Sequence, residues 1–413
     1  MTDMTDLYGP VSDWQNDFDH ADPKYNENIH DIWTDLLENK KCPVAHTDRY
    51  GGAWLPLTHE YVHEIAYDTD HFTSRSVVVG RLKPSEMEIP PPPAPIGNAP
   101  PITSDPPFHH EARRLLLPAF APKKIEPWEE EVRQICNELI DNMGDAEFVD
   151  AAVQYAQHIP VMVIARMLGL PLEDSDKFRG WVHLVLEAVN EEPETRRKKF
   201  EEFDAYLDYH VQDHIENPRD DLISYLLNAE IMGNKLIPEH VRGTIVLLLI
   251  AGIDTTWSGI GSSLWHLATN SVDRRRLVEN PDLRSTAIEE FLRAYAPVTM
   301  ARMVKEDYDF HGCPMKAEDW VLLPFPAANR DPNVFEDADK VIIDRAENRH
   351  AAFGLGIHRC VGSNLARLEM NVAVDVFLER FPDFELNTSE EVKWSVGQVR
   401  GPRSLPVRVL ARR

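Results

Sequence analysis

The sequence predicts a mainly α-helical protein with small β-sheets, and three observations support this fold class. Apolar residues recur with helical spacing from residue 109 to about residue 230, most clearly over residues 132–143. No proline occurs between Pro238 and Pro281, which predicts one long helix of roughly thirty residues. The strand-like stretches are few and short.

Shorter elements are predicted after the long helix. Helical spacing recurs over residues 283–295 and from about residue 362 to residue 381. Residues 307–311 and Trp320–Pro324 have the composition of strands. A short apolar stretch near residues 53–57 adds to this minor sheet component.

The N-terminal segment and a proline-rich segment interrupt this pattern. Residues 1–45 contain three prolines, so an irregular surface arm is predicted there, followed by a single domain over residues 46–413 with helix-rich and smaller sheet-rich lobes. Residues 88–107 are too rich in proline for a helix. They are predicted to form a lid or pocket wall, with an inter-domain linker as the alternative.

Charge and cysteine content narrow the class of protein. The chain has 413 residues with 43 Lys and Arg against 69 Asp and Glu, a net charge of −26, which argues against general binding of nucleic acid. No apolar run of about 18 residues and no basic leader is present, so no membrane association is expected. Four scattered cysteines favour a reduced, cytoplasmic protein, expected to be a monomer.

One cysteine stands out by its surroundings. In Phe353-Gly-Leu-Gly-Ile-His-Arg-Cys-Val-Gly362, called here the thiolate loop, Cys360 follows two glycines and precedes a predicted helix. A helix N-terminus favours an anion, so a thiolate is expected there. A lone thiolate suits an axial position on haem iron better than a tetrahedral zinc site. The alternative is a buried, inert cysteine.

The pattern Phe353-x-x-Gly356-x-x-x-Cys360-x-Gly362 resembles the haem-binding signature of cytochrome P450. The resemblance covers the chain from about residue 40 to its end. It implies the family's triangular-prism helical architecture, with residues 46–413 as the catalytic domain. It also implies haem b between the long helix and the helix after the thiolate loop, with Cys360 as the metal ligand. Phe353, Gly354 and Gly362 would then contact the haem.

Three charged residues match a family element. Glu290 and Arg293 share one helix face and would ordinarily form a solvated surface pair. The resemblance implies instead the Glu-x-x-Arg element of cytochrome P450, with Arg345 as its third member and a role as scaffold. Bidentate contacts in a buried setting would make the loss of one partner costly.

Four further residues match the family's ligands of the haem propionates: His109, Arg113, Arg302 and His358. Each of these residues, taken alone, could also be an ordinary charged residue at the protein surface. His109 with His110 could suggest a metal pair, but neighbouring helical residues point in different directions.

Within the long helix, the sequence Ala251-Gly-Ile-Asp-Thr-Thr256 combines small residues with an acid and two hydroxyls. Ala251 and Thr255 fall on one helix face, and Thr255 can also bond back to its own helix. The resemblance assigns Ala251 and Gly252 to the wall over the haem, Asp254 to proton supply and Thr255 to the hydrogen bond that retains dioxygen.

The resemblance implies a monooxygenase that inserts one atom of dioxygen into a small or medium hydrophobic substrate, by hydroxylation or oxidative dealkylation. A terpenoid or aromatic compound fits such a site. The proline-rich segment would form part of the pocket wall. Phe108 and Met300 depart from common family choices and leave substrate and propionate details open. The other implied substrate-wall residues are Leu248, Ala251, Val298, Met300 and Val399.

No dinucleotide fingerprint or iron–sulfur cysteine set is present, so electrons are expected from a ferredoxin or flavodoxin with its NAD(P)H reductase. A basic face would dock this acidic partner. Its predicted members are Arg113, Arg114, Arg345, Arg349, Arg359 and Arg367.

Three other functions compete with this interpretation. A peroxide-driven enzyme on the same scaffold would not need Asp254 and Thr255. A non-catalytic haem-thiolate sensor or ligand carrier would not need them either, and a haem-free helical binding protein would use every motif structurally.

Overall fold

The structure is a computed structural model that describes residues 8–38, 44–80, 83–86, 98–187, 192–395 and 397–413. Helices dominate these residues and the sheets are small, which confirms the predicted fold class. The helices are α1 (Pro23–Glu27), α2 (Ile29–Glu38), α3 (His59–Tyr67), α4 (Phe108–Leu116), α5 (Pro122–Ile125), α6 (Trp128–Asn142), α7 (His158–Leu168), α8 (Ser175–Leu186), α9 (Pro193–Glu216), α10 (Leu222–Asn228), α11 (Pro238–Thr269), α12 (Ser271–Glu279), α13 (Arg284–Ala294), α14 (Phe325–Ala328) and α15 (Ser363–Arg380).

The strands are short. Two of them match the stretches predicted at residues 307–311 and Trp320–Pro324, one matches the apolar stretch near residues 53–57, and the others were not predicted. They are β1 (Val44–Thr47), β2 (Ala53–Pro56), β3 (Phe72–Thr73), β4 (Phe148–Asp150), β5 (Glu230–Ile231), β6 (Asn234–Lys235), β7 (Thr299–Val304), β8 (Tyr308–Phe310), β9 (Cys313–Met315), β10 (Trp320–Pro324), β11 (Asp383–Leu386), β12 (Lys393–Trp394), β13 (Pro402–Ser404) and β14 (Pro406–Ala411).

Two sheets organise most of these strands. One has the order β1-β2-β10-β7-β3, in which β2 and β10 are parallel and the other neighbours antiparallel. The other has the order β11-β14-β4 and is antiparallel throughout. Strand β10 is buried along its whole length, so the first sheet is part of the core rather than a surface layer.

The long helix α11 is the centre of the helical part, as its proline-free sequence predicted. Pro238 occupies its first turn, where the missing amide costs nothing, and the helix continues for 32 residues. It packs against α7, α8 and α15. By length and hydropathy alone α11 could cross a bilayer, but 61% of its most apolar stretch is buried inside the protein. This burial therefore identifies α11 as a core helix.

The expectation of an irregular arm over residues 1–45 is wrong for its second half. Helices α1 and α2 and strand β1 form there, and Trp33 and Leu36 are buried against the sheet. Arg49 ties the preceding turn to this core through ion pairs with Asp17 and Asp19. The helical spacing of apolar residues in α2 carried the signal, although the surrounding prolines obscured it. A domain boundary at residue 45 stays a prediction.

The proline-rich segment 88–107 lies partly outside the described residues, which resume at 98. Its described part packs closely on α11. A Cβ on Gly243 would lie 2.4 Å from the carbonyl oxygen of Asn98, and the Thr244 hydroxyl donates a hydrogen bond to the carbonyl of Pro100 at 3.2 Å. This part of the segment is therefore a wall of the interior rather than a linker.

Candidate functional site

A large cavity lies between α11 and α15. Its volume is about 1380 Å³ including the open solvent space in its mouth. The lining residues that the sequence analysis assigned to the haem or substrate are His109, Arg113, Leu248, Ala251, Gly252, Thr255, Val298, Met300, Arg302, Phe353, Gly354, His358, Cys360 and Gly362.

The thiolate loop takes a tight path that its glycines permit. Gly354 and Gly356 have φ angles of +73° and +68°, which side chains other than glycine rarely adopt. A Cβ on Gly356 would also lie 2.2 Å from the carbonyl oxygen of Ala66 at the end of α3. The amide of Cys360 donates a hydrogen bond to the carbonyl of Phe353 at 2.7 Å and closes the loop.

Cys360 faces the cavity just before α15. It is exposed to the cavity although protein surrounds it on the other sides. Burial raises the pKa of its thiol, and the amide of Gly362 and the guanidinium of Arg113 lower it by less. In these surroundings alone the neutral thiol is therefore favoured, and the thiolate at Cys360 stays a prediction. Coordination to a metal ion is what removes the proton from a thiol of this kind.

A group of cations and histidines forms one edge of the cavity. Arg302 is 4% exposed, and burial lowers its pKa to about 10. His109 is fully buried, and neither ring nitrogen makes a hydrogen bond within the described residues. Burial, and after it Arg113, lower the pKa of His109 to about 4, so its ring is neutral. His358 lies 4.2 Å from His109, measured between ring centroids, and 2.9 Å from the hydroxyl of Ser74.

This edge fits the two carboxylates of haem. Buried cations and unsatisfied ring nitrogens are costly unless an anionic or hydrogen-bonding partner meets them. Haem propionates would be such partners, and Cys360 faces the same cavity, where its thiolate would bind the iron. The residues present therefore fit an iron porphyrin with Cys360 as its ligand.

A buried carboxylate anchors the chain that leads to the thiolate loop. The side chains of Glu290 and Arg293 are 0% exposed and form a bidentate pair with two contacts of 2.8 Å. Arg345, 8% exposed, donates to the same carboxylate at 3.0 Å. Arg293 also donates to the carbonyl oxygens of Asn329 and Ala338 at 2.9 and 2.8 Å. The structure thus brings together the three residues that the sequence suggested as a scaffold.

The polar residues of α11 point in two directions. Thr255 lines the cavity, and its hydroxyl donates to the carbonyl of Ala251 at 2.9 Å, which is the back-bonding that the sequence also allowed. Asp254 does not line the cavity and is 1% exposed. A Cβ on Gly252 would lie 3.2 Å from Ile164 on α7, so the glycine permits close helix packing as well as a flat wall.

Asp254 belongs to a chain of charged side chains that leads away from the cavity. Its carboxylate lies 2.7 Å from the guanidinium of Arg403, which is also 2.7 Å from the carboxylate of Glu187. The imidazole of His183 lies 3.7 Å from Glu187 and is 62% exposed. Burial raises the pKa of Asp254 to about 6, although Arg403 opposes this shift. The carboxyl group therefore exchanges its proton near neutral pH and connects to the surface through ionisable groups.

Sequence reasoning missed two residues of this region. Arg403 lies on β13, and nothing local in the sequence relates it to Asp254. Glu369 lines the cavity from α15, is 2% exposed, and burial raises its pKa well above the usual range. Helical spacing from Leu365 would have placed Glu369 on the cavity side of α15.

One predicted substrate residue is misplaced. Val399 does not line the cavity and is 7% exposed, and its main chain forms a β-bridge with Val298.

The predicted basic face is smaller than expected. Arg345 is buried on Glu290 and does not reach the surface. Arg113 is half-buried, and its guanidinium contacts the carbonyl of Arg359. Arg367 is 29% exposed and forms a bidentate pair with Glu289. The exposed members are Arg114, Arg349 and Arg359.

A cavity-facing cysteine, a cationic edge and an apolar opposite wall define a haem-thiolate protein. The family model described as Cytochrome P450 matches residues 146–399, more than half of the chain. The polyketide biosynthesis cytochrome P450 PksS of Bacillus subtilis is 35% identical over 74% of this chain and 76% of its own length. The mycinamicin IV hydroxylase/epoxidase of Micromonospora griseorubida is 34% identical over 74% of this chain and 79% of its own length.

Solved structures agree in fold. CYP109E1 from Bacillus megaterium, in complex with testosterone, has a TM-score of 0.82 and 30% identity over 94% of this chain and 99% of that chain. A myxobacterial cytochrome P450 in complex with myristic acid has a TM-score of 0.83 and 30% identity over 95% of this chain and 98% of that chain. The chain belongs to the cytochrome P450 family, the haem-thiolate monooxygenases that contain haem b. Bacterial members use redox partners and bind hydrophobic substrates.

We expect the variant Glu290→Gln to be strongly destabilised. It leaves two buried guanidinium groups without their carboxylate, which costs about 3–5 kcal/mol. Chemical unfolding followed by circular dichroism measures the loss, and the haem absorbance reports whether the thiolate loop keeps its cofactor. Glu64→Gln, at an exposed pair with His311, is the control and should cost less than about 0.5 kcal/mol. Equal stability of the two variants would contradict the anchoring role.

Proposed function

We propose that this cytochrome P450 hydroxylates a neutral, bulky apolar compound, of the size of a terpenoid, a steroid or a macrolactone. The observation that carries the proposal is the division of the cavity wall: the cations are confined to the edge assigned to the haem carboxylates. The described part of the wall opposite Cys360 is formed by apolar side chains, together with the hydroxyls of Thr255 and Thr256. Its apolar members include Ile102, Ile164, Leu247, Leu248, Ala251, Val298 and Met300.

This division disfavours a substrate that needs a charged anchor. A carboxylate moved from water into an apolar wall requires a cation or several hydrogen-bond donors. Arg302 is buried at the haem edge, and the hydroxyl of Thr255 already donates its hydrogen bond to the carbonyl of Ala251, so neither group is available to a substrate carboxylate. A neutral polycyclic or macrocyclic compound meets no such cost. The name of one relative, PksS, refers to polyketide biosynthesis, another relative is named a hydroxylase and epoxidase of mycinamicin IV, and one structural neighbour contains testosterone.

The bound haem supplies activation of dioxygen and transfer of one oxygen atom to the substrate. The residues of the chain orient the substrate, shield the cavity from water and supply protons. Apolar groups on α11 exclude water from the wall over the haem, and the oxygen of the Thr255 hydroxyl lies at the cavity surface, where it can accept a hydrogen bond. Asp254, with its pKa near 6, gains a proton from solvent on the side of α11 that faces Arg403 and supplies it toward the neighbouring Thr255. His183 and Glu187 connect this carboxyl group with solvent.

We expect Asp254→Asn to lower substrate turnover by about 100-fold, because a positioned acid contributes this much to proton transfer. The protonated fraction of Asp254 falls as pH rises through about 6. Wild-type turnover should therefore decline above that pH, whereas the variant should lack this step. Steady-state rates with a saturating chemical reductant test both effects. They are measured between about pH 5 and 8, a range that includes the pKa of Asp254. Asp307→Asn, at an exposed pair with Lys316, is the control. A variant with the wild-type rate and pH profile would exclude Asp254 from proton supply.

The substrate class is tested with a ligand panel. Neutral steroids, terpenoids and macrolactones should bind at least about tenfold tighter than fatty acids of equal apolar area, a difference of about 1.4 kcal/mol. The shift of the haem Soret band on titration measures each affinity. Met300→Arg introduces the missing cation and should favour fatty acids, whereas Met300→Leu should not. Tight binding of fatty acids by the wild-type protein would refute the proposed class while leaving the monooxygenase chemistry intact.

An acidic ferredoxin or flavodoxin, reduced by an NAD(P)H reductase, is the proposed electron donor, in a cytoplasmic setting. The argument rests on charge. The chain carries a net charge of −26, yet Arg114, Arg349 and Arg359 are exposed on or near the thiolate loop and α4. A local cationic patch on an acidic protein steers an acidic partner toward one face.

Charge reversal tests this docking face. Arg114→Glu should slow reduction by a low-potential acidic ferredoxin at least about tenfold at low salt, and rising ionic strength should shrink the difference as the charges are screened. Stopped-flow reduction in the presence of carbon monoxide gives the rate. Arg197→Glu, on α9 and 60% exposed, is the matched control. A salt-independent rate, or equal loss in both variants, would exclude the patch.

A further inference from the structure

A second cluster of possible ligands lies on α9, away from the haem cavity. His210, Asp213 and His214 occupy one face at a spacing of three and four residues. One ligand atom from each side chain lies within 4.8 Å of the others. Both histidines are buried, at 7% and 1% exposure. None of these residues lines the cavity or belongs to the described proton path.

The hydrogen bonds of His214 prepare it for a metal. Its Nδ1 lies 2.6 Å from the carbonyl oxygen of His210, so this nitrogen donates its proton to the main chain. Such a bond to a backbone carbonyl fixes the tautomer of metal-binding histidines and directs the other nitrogen at the ion. The free lone pair is then on Nε2, which faces Asp221.

Without an ion, Nε2 of His214 has two neighbours whose hydrogen-bonding requirements conflict. The Nε2 atom lies 3.1 Å from a carboxylate oxygen of Asp221 and 3.2 Å from the guanidinium of Arg219. An unprotonated Nε2 accepts a hydrogen bond from Arg219, but its lone pair repels the Asp221 oxygen. A protonated Nε2 donates a hydrogen bond to Asp221, but its N–H repels the guanidinium of Arg219. Every protonation state thus leaves one unfavourable contact. A cation bound by both Nε2 and the Asp221 oxygen removes the conflict.

His210 gives an independent indication of a ligand. Its Nδ1 is buried and makes no hydrogen bond within the part of the chain that the structure describes. Buried ring nitrogens normally have a partner, so this atom needs one. Arg219 contacts Asp213 as well as His214 and is 43% exposed. Its guanidinium already places positive charge between two of the side chains and can move to solvent when an ion replaces it.

We propose that His210, Asp213 and His214, with Asp221 as a fourth ligand, bind a divalent transition-metal ion such as Zn²⁺. Two imidazoles and two carboxylates are a donor set that zinc accepts, at about 2.0–2.1 Å from the metal. Ligands at that distance in a tetrahedron lie about 3.4 Å apart, so the side chains need to close by roughly an ångström. The 3.1 Å between His214 and Asp221 already matches this spacing. The inference is independent of the proposed substrate.

The ion would join two helices that the chain connects only by a short turn. The three residues on α9 lie in its last two turns, and Asp221 caps α10 by accepting a hydrogen bond from the amide of Ser224 at 2.8 Å. Asp221 also packs against Gly169 at the end of α7, where a Cβ would lie 2.3 Å from its carboxylate. A bound ion would therefore fasten α9 and α10 to the end of α7.

Metal binding to the haem-loaded full chain tests this site. After treatment with a chelator and dialysis, titration with Zn²⁺ in a calorimeter should show one saturable site, and mass spectrometry of the metals should find one zinc per haem iron. His214→Gln, which retains a side-chain donor for the His210 carbonyl, should bind Zn²⁺ at least about 100-fold more weakly, as expected for loss of a direct ligand. His210→Ala should also lose most of the affinity. Arg219→Gln should bind more tightly, because its competing cation is gone.

Matched controls separate the site from surface imidazoles. The double variant His59→Ala and His63→Ala removes another histidine pair with the same spacing, on α3, and should bind Zn²⁺ like the wild type. The melting temperature should rise with Zn²⁺ for the wild type and stay constant for His214→Gln. Equal haem absorbance and equal melting in chelator verify that this variant is folded. No zinc uptake by the wild type, equal uptake by His214→Gln, or loss of uptake in the α3 double variant would overturn the proposal.

Discussion

The buried carboxylate of Glu290 is the constraint on which the haem side of the protein depends. A fully buried charge is tolerated only when it is paired and hydrogen-bonded, and this carboxylate meets Arg293, Arg345, the amide of Ile342 and the side-chain amide of Asn348. The last three partners come from the irregular chain between α14 and the thiolate loop. A region with little secondary structure is thereby held to α13, and the loop that presents Cys360 starts from a fixed position.

The cavity owes its chemistry to a separation of polarity. Its cations gather at one edge, its thiol lies on one side, and its opposite wall is apolar apart from the hydroxyls of Thr255 and Thr256. Asp254, the acid that we propose as the proton supplier, is excluded from the cavity and faces a charged network on the other side of α11. One helix can serve both environments because successive residues point in different directions. The arrangement keeps water and charge away from the substrate while a proton remains within one residue of Thr255.

Much of the fold and of the candidate site could be predicted from the sequence. Helices α11, α13 and α15 were predicted within a few residues, because apolar periodicity and the absence of proline are local signals. The thiolate loop was recognisable because glycine and cysteine at fixed spacing have few alternatives. The prediction failed where the deciding contact joins residues that are distant in sequence. Helices α1 and α2 bury residues against a sheet whose strands include β7 and β10. Val399 does not line the cavity wall that it was expected to form.

The sequence by itself determined helices α11, α13 and α15, the cysteine at the entrance of α15 and the pairing of an acid with an alcohol on α11, because each depends on neighbours within one or two helical turns. Only the tertiary structure decided that Arg403 pairs with Asp254, that Arg345 is buried rather than exposed, and that Glu369 faces the cavity. It also decided the conflict around His214. Charge and burial depend on which groups the folded chain brings within a few ångströms, and that proximity is not encoded in any short stretch of residues.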